Sequence, residues 1–202
     1  MSTNKPKQKR RSIRLPEYDY SQEGAYYITI CTQDRECIFG KITAGRTELT
    51  KYGKIAERFW HDLAKYYDGI LLDTFVVMPN HMHAIIVIID DVIRRGEVTS
   101  PLGGSVDILG KPGEVTSPLR GTPKRTLGQI LAFYKYQTTK SINAIHNTPG
   151  NKIWQRNYYE HVIRNEKTLN KIRGYICNNP LYWAADDENP DRITIPVRRG
   201  NL

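Results

Sequence analysis

The sequence predicts an α+β fold: a ferredoxin-like or RRM-like antiparallel sheet with helices on its faces and one further helix after it. Three observations carry this expectation. Two strongly apolar runs, ILLDTFVVM and HMHAIIVIID, are separated only by Pro79-Asn80. Helical periodicity follows Thr50 and again Thr126, on either side of that pair. An aromatic and β-branched stretch, AYYITICT, comes before all of them, giving the order strand, helix, strand, strand, helix.

Residues 1–22 are polar and basic without clear periodicity, and read as a flexible arm ahead of a domain spanning 23–183. Ala25 to Thr32 form the first expected strand. ECIFGKITAGRTELT supplies two short extended pieces around Ala44-Gly45, a hairpin. Thr50 can cap a helix that sets Tyr52, Ile55, Phe59, Leu63 and Tyr66 on one face. The next two runs are apolar on both faces, as central strands are, and the Pro-Asn pair between them suits a tight turn.

Residues 93–124 are dense in Gly, Pro and Ser and contain GEVTSPL twice, which reads as a mobile, duplicated insertion; two copies are too few for a solenoid. From Thr126, Leu127, Ile130, Leu131, Tyr134, Thr138 and Ile142 share one helical face. NKIWQRNYYEHVIRN reads as an irregular connection. A last helix is capped by Asn165 and stopped by Pro180, and residues 184–202 form a tail.

Thirty Lys and Arg against 21 Asp and Glu give a net charge of +9, which favours an acidic partner. The three cysteines form no CxxC pair, arguing against a disulfide framework or zinc ribbon and for a reducing, cytoplasmic setting. No apolar run reaches the roughly 18 residues of a membrane span, and no signal peptide is evident.

His81 and His83 stand at positions i and i+2 of a strand, so both imidazoles project from one face while Met82 points to the other. That spacing lets two imidazoles share a cation, but it also suits strand-end histidines satisfied by carbonyls or water. Tyr175 and Asn179, four residues apart, share a face of the last helix beside an apolar stripe of Ile172 and Ile176. They can be a rigidly held hydroxyl and amide, with Asn179 as a third ligand, or ordinary packing and helix-end residues.

Four collinear blocks extend the pattern: YYITICTQDRECIFG, VVMPNHMHAIIVI, LGQILAFYKYQTTKSIN and IWQRNYYEHVIRNEKTLNKIRGYICNNP. Over about Tyr26 to Trp183 the chain resembles the single-tyrosine HUH transposases, IS200-like, and among them the REP-associated subgroup. The resemblance implies metal ligands at His81 and His83, a nucleophile at Tyr175 on an added C-terminal catalytic helix, and a third ligand at Asn179. Tyr158 and Tyr159 are the alternative nucleophiles. It implies a divalent ion, Mg²⁺ or Mn²⁺, and single-stranded DNA with a hairpin as partner. Tyr175 would attack a backbone phosphorus, leaving a 5′-phosphotyrosine and a free 3′-hydroxyl for later strand transfer in DNA transposition.

Lys9, Arg10, Arg11 and Arg14 of the arm, with Arg120, Lys124 and Arg125 of PLRGTPKR, are the expected phosphate contacts. A nucleoid-associated protein, monomeric or a homodimer, fits this reading. Two rivals follow from the same residues. One is a metal-dependent hydrolytic nuclease in which Tyr175 only packs. The other is a non-catalytic nucleic-acid-binding module, against which HAIIVIID offers no RNP-like aromatics.

Overall fold

The computed structural model describes residues 19–89 and 126–192. Lys9, Arg10, Arg11, Arg14, Arg120, Lys124 and Arg125 lie outside the described residues, as do the duplicated insertion and most of the arm. The elements are β1 (Gly24–Cys31), β2 (Gly40–Thr43), β3 (Arg46–Leu49), α1 (Lys51–Tyr66), β4 (Ile70–Val77), β5 (His81–Ile88), α2 (Leu127–His146), β6 (Tyr159–Ile163) and α3 (Glu166–Asn178). A four-stranded sheet has the order β4-β5-β1-β6 with every neighbour antiparallel, and β2 and β3 form a separate hairpin. This is the α+β arrangement the sequence predicts.

Strand alternation divides the apolar residues between two faces. Tyr26, Ile28 and Ile30 of β1 and Met82, Ala84 and Ile86 of β5 pack with Trp60 of α1 and Leu131 and Tyr134 of α2. On the opposite face Ala25, Ile85 and Ile163 meet Leu169 and Ile176 of α3. His81 and His83 belong by alternation to this second face, so α3 is laid over the side of β5 that carries them.

Helix α2 buries Leu127, Ile130, Leu131, Tyr134, Thr138 and Ile142, the face its periodicity predicts. Thr126 and Gln129 close a capping box at its start, satisfying N–H groups that have no partner within the helix. Thr50 likewise caps α1 by accepting from the main-chain N–H groups of Tyr52 and Gly53.

The structure corrects the sequence reading in four places. The fully buried stripe of α1 is Gly53, Ala56, Trp60 and Leu63; the expected Tyr52, Ile55 and Phe59 pack against the core only partly buried, and Tyr66 is left 57% exposed. Its closest approach uses a residue without a side chain: a Cβ on Gly53 would stand 2.1 Å from the Phe39 carbonyl oxygen. Counting only large apolar residues therefore rotates the face. Second, β4 is an edge strand: Ile70 and Val77 at its ends are buried, but Leu72, Phe75 and Val76 are only partly buried and Leu71 is exposed. Third, Tyr159–Ile163 is a strand, β6, where an irregular connection is expected; pairing with β1 orders it. Fourth, α3 stops at Asn178, ahead of Pro180 as expected, but the chain then continues in a 3-10 helix, Asn179–Ala185, with Pro180 in its first turn, where a missing N–H costs nothing.

Candidate active site

The Met78–His81 turn, closed by the Met78 N–H on the His81 carbonyl at 2.8 Å, sets His81 as the first residue of β5. His81 and His83 are buried, with relative exposures of 0% and 4%, and their Nε2 atoms stand 3.0 Å apart. Two adjacent ligands each about 2.1 Å from one ion, at right angles, would be separated by about 3 Å. Burial pushes both imidazoles down to about 3, helped at His81 by the positive charge of Arg35 and at His83 by His81, so both are neutral at ordinary pH.

Hydrogen bonds fix which nitrogens are free. The Asn80 amide donates to the carbonyls of Arg35 (3.1 Å) and Glu188 (2.7 Å), so its Oδ1 is the acceptor facing His81 Nδ1 at 2.9 Å. His81 therefore carries its proton on Nδ1 and keeps the Nε2 lone pair. His83 Nδ1 lies 2.8 Å from both the Tyr27 hydroxyl and Thr29 Oγ1, and Thr29 Oγ1 in turn donates to Tyr27 at 3.1 Å. Those hydroxyls can donate to Nδ1 or accept from it, so they support either tautomer, including the one that leaves Nε2 open to a cation.

Asn165 caps α3 by accepting from the Thr168 N–H, and Ile176 docks the helix. Arg173 adds a polar tie: Nε donates to Asp73 Oδ1 at 3.0 Å and a terminal nitrogen to Oδ2 at 2.5 Å. Asp73 falls within an irregularity of the β4–β5 register between Leu72 and Phe75. Tyr175, half exposed, is brought to His83 with its hydroxyl 3.5 Å from Nε2 and the two rings 5.2 Å apart. Burial and the negative charge of Asp186 raise its phenol above the usual range, while hydrogen bonds to Asn179 and Tyr27 act in the opposite sense.

After the 3-10 turn the chain comes back across the histidines. Ligand atoms of His81, His83 and Asp186 lie within 4.8 Å of one another, a group able to hold a metal ion. Asn179 is buried, donates to Asp186 Oδ2 at 3.2 Å and keeps Oδ1 without a partner. Two imidazoles, a carboxylate and an unsatisfied amide oxygen are a donor set suited to a hard or borderline divalent ion. Glu188 anchors the returning segment through its carbonyl on Asn80 and its carboxylate on Arg35 at 3.0 Å.

Of the residues named from the sequence, His81, His83, Tyr175 and Asn179 thus meet in one region. Tyr158 and Tyr159 line the same cleft as Tyr175, and Tyr159 packs edge-on against Tyr27 at 6.0 Å. Sequence reasoning missed Asp186, Asn80, Tyr27 and Thr29. The run Asp186-Asp187-Glu188 in a chain of net charge +9 was the available signal for the first. For Thr29 it was the strand register, which pairs it with His83.

The chain is 40% identical over 177 residues to an uncharacterized protein of Haemophilus influenzae, a match covering 88% of this chain and 91% of that one. The two belong to one family. No protein-family model matches the chain. Among solved structures, that of a REP-associated tyrosine transposase bound to a REP hairpin superposes with a TM-score of 0.52, covering 85% of this chain and 73% of that one at 16% identity. The family fold is therefore transposase-like. No helix among the described residues is long and apolar enough to cross a membrane.

Proposed function

We propose that this protein is a single-tyrosine HUH transposase of the REP-associated kind, cleaving and rejoining hairpin-bearing single-stranded DNA. The observation that carries the reading is the Tyr175 hydroxyl 3.5 Å from an imidazole that belongs to the His81-His83-Asp186 group. The transposase-like fold and the REP hairpin held by the structural neighbour support it.

In this reading Tyr175 Oη attacks a backbone phosphorus, the P–O3′ bond breaks, and the 3′-oxygen leaves as a hydroxyl carrying the proton that the phenol gives up. Mg²⁺ or Mn²⁺, when bound by His81, His83 and Asp186, supplies Lewis-acid polarisation of the scissile phosphate. Asn179 steadies the Asp186 carboxylate through Nδ2 and offers Oδ1 as a further oxygen donor. Tyr27 and Thr29 hold the His83 ring, and α3 holds the phenol over it. One phosphodiester replaces another, so no external energy source is required.

One observation favours the hydrolytic alternative: burial and Asp186 hold the Tyr175 phenol protonated, against its use as a nucleophile without the ion. The test incubates the full chain with Mn²⁺ or Mg²⁺ and labelled hairpin DNA from beside its own gene. A denaturant-resistant protein–DNA adduct lost in Tyr175→Phe is expected. Metal-dependent cutting in both proteins without an adduct would replace the transposase reading with a nuclease.

A further inference from the structure

A second cavity, about 1040 Å³, runs along the side of α2 that the core leaves unused. Its floor is the outer stripe of the helix, including Tyr136, Thr139 and Lys140, and its far wall is the segment 147–156. That wall is built in place. Lys135 Nζ donates to the carbonyls of Gln155 (2.5 Å) and Arg156 (3.0 Å), Asn143 Nδ2 to the carbonyl of Asn151 (2.9 Å), and Trp154 Nε1 to Thr138 Oγ1 (2.7 Å).

The chemistry of the lining is one-sided. Lys140, Lys152 and Arg156 contribute three cations beside Lys135, whose Nζ is held by the wall carbonyls, and among the described residues no Asp or Glu lines the cavity. Tyr136 is 62% exposed. A cationic channel with an uncovered aromatic ring is the combination that binds single-stranded nucleic acid, cations to phosphates and ring to base. Gln155, Arg156 and Tyr158 line both this groove and the cleft of His83 and Tyr175, so the two adjoin along that segment. None of the segments outside the described residues is net acidic, so none of them matches this groove in charge.

We infer that this groove is a strand-binding path that leads single-stranded DNA along α2 into the cleft at Tyr175. The inference rests on the proposed function for the choice of DNA over other polyanions. Its test reads binding and not cutting, so the two readings fail separately.

The probe is a fluorescein-labelled oligothymidylate of about 16 nucleotides, within the span a single-strand groove covers. Its affinity for the full chain is followed by anisotropy across a salt series. In Lys140→Ala/Lys152→Ala the slope of log affinity against log salt should shrink by about 1.4, or ~0.7 for each phosphate contact removed. Tyr136→Ala should weaken binding roughly tenfold. Lys51→Ala/Lys54→Ala on α1 should leave slope and affinity unchanged. Equal effects at the groove and at α1, no effect at the groove, or no binding by the wild type would each overturn the inference. An oligoglutamate of equal charge that binds as tightly would also overturn it, in favour of an acidic protein partner. Loss of the Tyr175 adduct alone would leave the groove standing and remove the strand-cutting step.

Discussion

At the residue scale, the neutral state of the two histidines has a measurable consequence. The ordinary value for an unfolded histidine is about 6.5. Their folded values lie near 3, so between those limits the unfolded chain binds more protons than the folded one. Stability must then rise as pH increases through this window and fall as acid is added. In chelator-treated protein, the melting temperature should drop from about pH 6.5 downward. His81→Gln/His83→Gln should show a shallower acid limb, and an unchanged slope in that variant would place the protons elsewhere. Asn80 should prove a positioning residue for His81. Asn80→Ala, by freeing the imidazole to turn, should weaken Mn²⁺ binding 10- to 100-fold in a titration. The same substitution takes a donor from each of two partly buried carbonyls, costing about 1 kcal/mol or a little more in a denaturant melt. The histidine pair was legible because strand alternation is strict: two polar rings at i and i+2 must share a face. Asp186 was not, because the turn that returns it to β5 depends on where Asn80 and Arg35 stand, and no local period encodes that.

At the element scale, the helices were readable wherever large apolar residues mark the buried face, as on α2, and misread wherever closeness depends on small ones. Gly53 shows the difference. As an N-terminal residue of α1 it gives up about 1 kcal/mol of helix propensity relative to alanine. A Cβ there would stand 2.1 Å from the Phe39 carbonyl oxygen and 2.9 Å from Leu49 Cδ2. Overpacking of this kind costs about 1–3 kcal/mol or more, so the clash outweighs propensity. Gly53→Ala should lower the denaturant midpoint, and a midpoint that rises would mean that α1 shifts freely on the β2–β3 hairpin. Strand β6 was hidden for another reason: Tyr158-Tyr159-Glu160 breaks the alternation of apolar and polar residues, and only the open edge of β1 recruits it. Helix α3 invites a third test. Asp73 is 17% exposed and Arg173 41%, so their ion pair lies between a surface and a buried one. Arg173→Ala should cost about 1–2 kcal/mol, more than a surface pair and less than a fully buried one. Because the same pair ties α3 beneath Tyr175, adduct formation should slow as well. Asp73→Arg/Arg173→Asp should recover part of both, whereas recovery of stability alone would separate docking from positioning.

At the scale of the whole molecule, the metal group draws on two stretches far apart in sequence, the start of β5 and the chain after α3, and the second is held only by what it touches. Asn80 grips the Glu188 carbonyl, Arg35 grips the Glu188 carboxylate, and Asn179 grips Asp186. A domain boundary at residue 183 falls inside this arrangement, three residues before Asp186, the candidate carboxylate ligand. If the histidines alone bound the ion, removing everything after residue 183 would leave metal affinity intact. If the returning segment supplies the carboxylate, the shortened chain should fold around the same apolar core yet lose the linkage between metal and stability. An ion that binds only the folded state, at about a hundred times its dissociation constant, stabilises by about 2.7 kcal/mol. Mn²⁺ should therefore raise the melting temperature of the full chain and not that of the chain ending at Trp183. Asp186→Ala should reproduce the loss without shortening anything. An equal Mn²⁺ response in all three proteins would confine the ligands to β5 and the first residue after α3, returning the third position to Asn179.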